Sequence, residues 1–380
     1  MRRGRTVVLA GIMVLLAGCS SGSKQVSSIA IGEIDPVTGP LAAKGFHNGI
    51  VLALEEANRQ GGIDGRTIRL VFRDNESRPE IAASAAQDLL TREGVVAFVG
   101  GFVDSLVAPV AALASAKHVP YVAAASLQKE LTATGNRYFF RVSSLGAFTA
   151  STTGFVEAQG AEKVGILYAT TPGSTELAEE QRAALTAKGV VVDPFASLTI
   201  GTQDFSPLLA KIREAAPDAL LVNDPSDGDL ILMAKQMKAL GQQPPIVLFS
   251  FGIEPPTVTA LGSTADGLYG TVAWEPSLSV GGKAGTTFGQ DYRQRFHEEA
   301  DEGAAHGFAA ATALLQALRT LPSGRITDPA LANALRAVSV DTPLGTVRFL
   351  PNGDPTAYRR YVVRVEAGAY TVVYRVPAQS

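Results

Sequence analysis

Residues 31–90 read IGEIDPVTGPLAAKGFHNGIVLALEEANRQGGIDGRTIRLVFRDNESRPEIAASAAQDLL. With the residues just before it, the first segment (27–34) is an apolar run of strand length that ends in the turn-rich DPVTGPLAAKG. Residues 46–60 carry apolar side chains at helical spacing and stop at a Gly-Gly pair. Residues 66–74 alternate as a strand, and 79–93 form a helix with proline in its first turn. The strand–helix alternation continues through VVAFVGG (95–101), SLVAPVAALASAKH and VPYVAA (119–124). Such a rhythm predicts a mostly parallel sheet covered by helices on both faces.

The rhythm restarts at KVGILYA (163–169) and runs to PIVLFS (245–250), which predicts a second α/β lobe. Beyond VAWEP (272–276) come three helical stretches between about 285 and 337, then short strand signals around the turn PNGDP (351–355). A chain of 380 residues, 46% hydrophobic, has the length for two cores. The net charge of −3 and the lack of a Lys/Arg cluster after the first five residues exclude a nucleic-acid footprint. The single cysteine, Cys19, excludes an intrachain disulfide and a Cys-based zinc site. The four histidines, His47, His118, His297 and His306, lack metal-ligand spacing and read as surface or packing residues. No phosphate loop, GxSxG, HExxH or dinucleotide fingerprint occurs, so neither a catalytic residue, a metal nor a cofactor is expected.

The N-terminus combines MRRGR, the apolar run TVVLAGIMVLLAG, then Cys19 and the polar SSGSKQ. The run is shorter than the ~20 residues of a membrane span and fits a secretory signal. Its end, LAGC, resembles a bacterial lipobox. That resemblance implies a signal peptide over 1–18, a lipidated Cys19, and a flexible Ser/Gly tether over 19–27.

Several further motifs recur together: TGP at 38–40, EANRQGGIDG at 56–65, RDNESRPEIA at 73–82, VGG at 99–101, VPYV at 119–122, FFRVSS at 139–144, TQDFSPLLAKI at 202–212 and GTVRFLPNGD at 345–354. Over residues 28–375 the chain resembles the leucine/isoleucine/valine-binding protein family, the type I solute-binding proteins of branched-chain amino-acid ABC importers. The resemblance implies two Rossmann-like lobes, 28–143 with 275–347 and 144–274 with 348–380, joined by crossovers near 143–146, 271–275 and 347–351. It implies a monomer held outside the cytoplasm by its lipid anchor, hinged closure on a small solute in the interlobe cleft, delivery to permease subunits, and no chemistry. A ligand sensor passing closure to a separate membrane receptor is the alternative.

Carried over position by position, the resemblance puts Asp104 where relatives hold the ligand carboxylate with a serine; a one-residue shift would give Ser105 instead. Ala125 matches the backbone-binding position after the next strand, with Leu127 in place of a threonine and Ser126 between them. Lys44 and Gly173 replace two aromatic residues. Ser226 and Asp227 replace a tyrosine, and Ser250 replaces the amine-binding acid. A carboxylate ligand ~4 Å from Asp104 would meet a repulsion of about 4 kcal/mol at an effective dielectric of 20. Ordinary branched-chain amino acids are therefore not expected: either Lys44 pairs with Asp104, or the ligand presents a cation or hydrogen-bond donor there, or Asp104 is protonated, which is costly unless it is buried. Asp104 and Asp227 each stand at a helix start and could be N-caps with no ligand contact. Trp274, at a crossover, reads as hinge packing.

Overall fold

The computed structural model describes residues 28–376 apart from 134, 242, 279–281, 323–325 and 327. The signal, Cys19 and tether readings therefore lie outside the described residues. The first sheet contains β1 (Ile29–Asp35), β2 (Ile68–Asp74), β3 (Ala97–Phe102), β4 (Tyr121–Ala125) and β5 (Phe139–Arg141). Its strands are all parallel, in the order β2-β1-β3-β4-β5. Helices α1 (Lys44–Arg59), α2 (Pro79–Asp88) and α3 (Asp104–Ala116) link them, and the short α4 (Glu130–Ala133) follows β4. Every residue of β1 is buried, as a strand covered on both faces requires.

The second sheet takes β6 (Lys163–Ala169), β7 (Val191–Leu198), β8 (Ala219–Asn223), β9 (Ile246–Phe249) and β10 (Tyr269–Val272), again in parallel. Around them lie α5 (Leu145–Ala158), α6 (Pro172–Ala187), α7 (Ser206–Ala215), α8 (Asp227–Leu240) and α9 (Pro255–Leu261). The chain then returns to the first sheet with α10 (Gly282–Phe296), α11 (Glu302–Arg319), α12 (Ala330–Arg336) and the hairpin β11 (Val340–Thr342) and β12 (Gly345–Val347). It closes as β13 (Tyr361–Glu366) and β14 (Ala369–Arg375), an antiparallel pair on the β10 edge. Both sheets share one winding, β2-β1-β3-β4 and β7-β6-β8-β9. A crevice opens at the carboxyl ends of such a sheet where the winding reverses direction.

The return of α11 decides how the first sheet is covered. Ala309, Leu314 and Leu318 pack with Ile31, Val99 and Val122 of the sheet and with Ile50 and Leu54 of α1. Glycine permits the close approach of α1 and α11: a methyl on Gly49 would stand 2.0 Å from the Ala304 carbonyl oxygen, and one on Gly307 2.1 Å from that of Phe46. Trp274 is core, packed edge-on to Phe288 with ring centres 5.0 Å apart, and it does not face the cleft.

Three passages connect the sheets: β5 to α5, β10 to α10, and β12 to β13. The third runs from residue 348 to 360, so PNGDP lies inside the passage and extends it beyond the expected 347–351. Arg141 at the end of β5 clasps it, with Nε on Asp354 Oδ1 at 2.6 Å and the backbone N–H on the Gly353 carbonyl at 3.0 Å. The DNES turn holds the TGP loop in place. Asp74 accepts from the Val37 N–H at 3.2 Å and the Thr38 hydroxyl at 2.6 Å.

Candidate functional site

Between the two sheets lies a cavity of about 820 Å³, with walls from both. The N-terminal ends of α1, α3, α6, α8, α9 and α11 all reach it, because strands of one winding place their following helices at the same edge. Its apolar lining includes Leu127, Phe46 stacked on Phe102 with ring centres 4.8 Å apart, and Phe148 edge-on to Phe251 at 5.5 Å. The volume suits a small molecule.

Asp104 does not cap its helix. The N-cap position belongs to Val103, which turns the chain at φ 64°, and Asp104 is the first helical residue. Its buried carboxylate points instead to the turn after β4. Oδ1 accepts from the Ser126 hydroxyl at 2.7 Å and from the N–H groups of Leu127 and Gln128, both at 2.8 Å. Oδ2 faces Gly173 at the start of α6 on the other lobe, where a methyl would stand 2.0 Å away. A glycine there lets the two lobes meet at this point. The pairing of Lys44 with Asp104, one of the options left open by the sequence, does not form: Lys44 is exposed, and no carboxylate lies within ion-pair distance of it among the described residues.

Of the ten positions singled out in the sequence, Lys44, Asp104, Ala125, Leu127, Gly173 and Asp227 line the cavity. Ser105, Ser126, Ser226 and Ser250 do not. Ser105 lies on α3 away from the cleft, and Ser126 is buried behind Asp104. Ser226 is the N-cap of α8, a role that falls to it and not to Asp227; its hydroxyl accepts from the Asp229 N–H at 3.3 Å. Ser250 is buried in the second lobe, where its hydroxyl receives Gln181 Nε2 at 3.3 Å.

Sequence reasoning missed six acids on the wall: Asp224, Glu254, Glu298, Glu299, Asp301 and Glu302. Asp301 caps α11, accepting from the Ala304 N–H at 2.6 Å. Glu254 Oε2 accepts from the Glu302 N–H at 3.2 Å, bridging the lobes. Burial first, then the negative charge of Asp301, Glu302 and Asp227, holds Glu254 well above the usual carboxylate range. Asp227 is open to cavity water yet walled by protein, and burial raises it too. Asp301 is pushed up to about 6 and Asp224 to about 7, in each case by burial foremost, with neighbouring acids adding to it. The sequence signal was the helix-start pattern at Glu254, Asp301 and Glu302, legible only once those starts share one cavity.

Glu302 has different partners. It meets the buried Arg360, with Nη1 2.5 Å from Oε1, and accepts from the Ala273 N–H at 2.7 Å. Arg360 also donates to the Tyr358 oxygen at 2.7 Å, Tyr358 O–H to His306 Nε2 at 2.7 Å, and His306 Nδ1–H to the Glu302 carbonyl at 2.9 Å. This order of donors requires neutral His306, and burial does lower its pKa. His306 thus joins the head of α11 to the third passage through Tyr358 and also lines the cavity, beyond the packing role expected of it.

Replacing Asp104 by alanine leaves two N–H groups and a hydroxyl without their acceptor, and each such group costs about 1–3 kcal/mol. Urea unfolding of Asp104→Ala is expected to show a loss of about 2–5 kcal/mol, and a loss below about 0.5 kcal/mol would contradict this role. A carboxyl raised in the folded state stabilises below its unfolded pKa of about 4, and that stability is lost as pH rises through the folded value. Asp301 and Asp224 therefore predict that the melting temperature of the unliganded chain falls from about pH 5 to pH 8. Asp301→Asn, which keeps a good cap, should reduce the fall. A melting temperature that rises over this range would contradict the prediction.

The periplasmic binding protein family matches residues 28–369. A leucine-, isoleucine-, valine-, threonine- and alanine-binding protein of Pseudomonas aeruginosa is 24% identical over 350 residues, 89% of this chain and 90% of that protein. The crystal structure of a leucine-binding protein from Thermotoga maritima superposes with a TM-score of 0.83 at 22% identity, covering 92% of this chain and 99% of the other. A solute-binding protein from R. palustris, solved with benzoate, gives 0.82 at 19% identity, covering 92% and 96%. These relatives are binding proteins, not enzymes. With its family match, its two doubly wound lobes and its cleft between them, the chain belongs to the periplasmic binding protein family.

Proposed function

We propose that this chain is the extracytoplasmic, lipid-anchored solute-binding component of an ABC importer, and that it takes a small polar or amphipathic solute into the interlobe cleft by hinged closure. The observation that carries this reading is the 820 Å³ cavity walled by both lobes over three connecting passages. A ligand touching both walls stabilises the closed arrangement by its differential contacts. Lys44, Asp104, Ala125, Leu127, Gly173 and Asp227 would face that ligand, with Ser126 acting through Asp104. Relatives named for amino acids and one holding benzoate support a small solute without fixing its type.

The anchor rests on Cys19 at the end of LAGC. No helix of the described residues is long and apolar enough to cross a membrane. Cys19→Ser should move the protein from the membrane fraction to the soluble fraction of its cells, and unchanged membrane retention would refute the anchor. For the solute, the full chain is screened by thermal shift against metabolites, with small-angle scattering on each hit. A ligand at 100 times its Kd adds about 2.7 kcal/mol to native stability. Expected are a raised melting temperature and a smaller radius of gyration together; tight binding with no compaction would count against closure.

A further inference from the structure

The cavity gathers carboxylates from both lobes. Asp227 reaches it from the first turn of α8, Glu254 from the loop before α9, and Asp301 from the start of α11 on the opposite lobe. Glu254 and Glu302 touch across the gap through the 3.2 Å backbone bond. Helix N-termini offset part of this charge, roughly half a unit each within the first turn. The nearby cations offset little more. Arg360 is bound to Glu302, and His306 is neutral. Among the described residues, Lys44 is the one lysine or arginine on the wall, and it has no ion-pair partner.

Two further observations point the same way. Asp224 lines this cavity at 5% exposure, and its Oδ2 has no hydrogen-bond partner among the described residues, although a buried acceptor normally has one. The donors of the turn after β4, the N–H groups of Leu127 and Gln128 and the Ser126 hydroxyl, are already taken by Asp104 Oδ1 and not offered to an anion.

We infer that the cleft selects an organic cation: an ammonium head held among Asp227, Glu254 and Asp301, carried on an apolar body, with no free carboxylate. The body would lie against Phe46, Phe102 and Phe148; Phe148 already holds the Arg360 guanidinium 3.9 Å from its ring centre, so a further cation is drawn to the Phe46 and Phe102 pair. This inference rests on the solute-binding reading above. It separates the ligand from amino acids, which bring a carboxylate into a cavity already rich in them.

The test uses the full-length chain and two matched series. Isopentylamine, isopentanol, isovalerate and leucine share one skeleton; phenethylamine, 2-phenylethanol, phenylacetate and phenylalanine share another. Calorimetry should give at least one amine a tenfold lower Kd than its alcohol, acid and amino-acid counterparts. Asp227→Asn with Asp301→Asn should cost that amine tenfold or more, with unchanged circular dichroism showing that the variant folds. An alcohol, acid or amino acid binding more tightly than its amine overturns the cation and leaves solute binding intact. A ligand-free arm covers a panel without binders. If opposed carboxylates hold the lobes apart, the double variant scatters as a more compact particle than the parent, which supports the inference; identical scattering overturns it. A chain that binds nothing and whose variant scatters identically loses the solute-binding reading as well.

Discussion

The ion pair between Arg360 and Glu302 is the contact on which the arrangement of the two lobes depends. Both side chains are buried, and a guanidinium keeps its charge there, so Arg360 needs the Glu302 partner. Removing one partner of such a pair costs about 3–5 kcal/mol, because the other is left buried without compensation. Arg360 stands at the end of the third passage and Glu302 at the head of α11, while Arg360 Nη2 also donates to the Thr271 carbonyl at 2.8 Å. Two of the three passages thus meet at one guanidinium. The remaining passage is fastened by Arg141 to Asp354. Opening either clasp would leave a buried guanidinium without its carboxylate.

The cleft sits directly on the Arg360 clasp, and its electrostatics follow from how it is built. Parallel strands deliver helix N-termini to one edge, and acidic side chains are stable at those termini. In this chain the acids come from both lobes and meet around one cavity, so closure concentrates negative charge. Asp104 takes the opposite course. Its charge is satisfied within the first lobe by the 126–128 turn, and it meets the second lobe only through the bare backbone of Gly173.

Much of the fold could be read along the chain. The β1-α1-β2-α2 segment, the β6 strand at 163–169 and the three late helices follow from periodicity and their glycine and proline boundaries. Helix α5 did not stand out, because LGAFTASTTGFVEA mixes Ser, Thr and Gly with apolar residues and has no charge before Glu157. Burial of Leu145, Phe148, Phe155 and Val156 holds it in place, and Thr152 bonds back to the Phe148 carbonyl at 2.8 Å. The site was legible by half. Asp104, Leu127 and Gly173 reach the cavity as their alignment suggested, whereas Ser126 and Ser250 belong to the structure behind the wall.

The sequence by itself determined the two α/β lobes, the strand–turn–helix placement of each cleft position, and the acids at helix starts. These depend on local periodicity, capping and turn chemistry, which a chain carries residue by residue. Only the tertiary structure decided where each carboxylate points. Asp104 and Asp301 both begin helices, yet one is sealed by three donors from a turn 22–24 residues away and the other confronts Asp227 and Glu254 from the second lobe. A charge acquires its role from the groups that surround it in space, and in this fold those groups come from elements far apart in the chain.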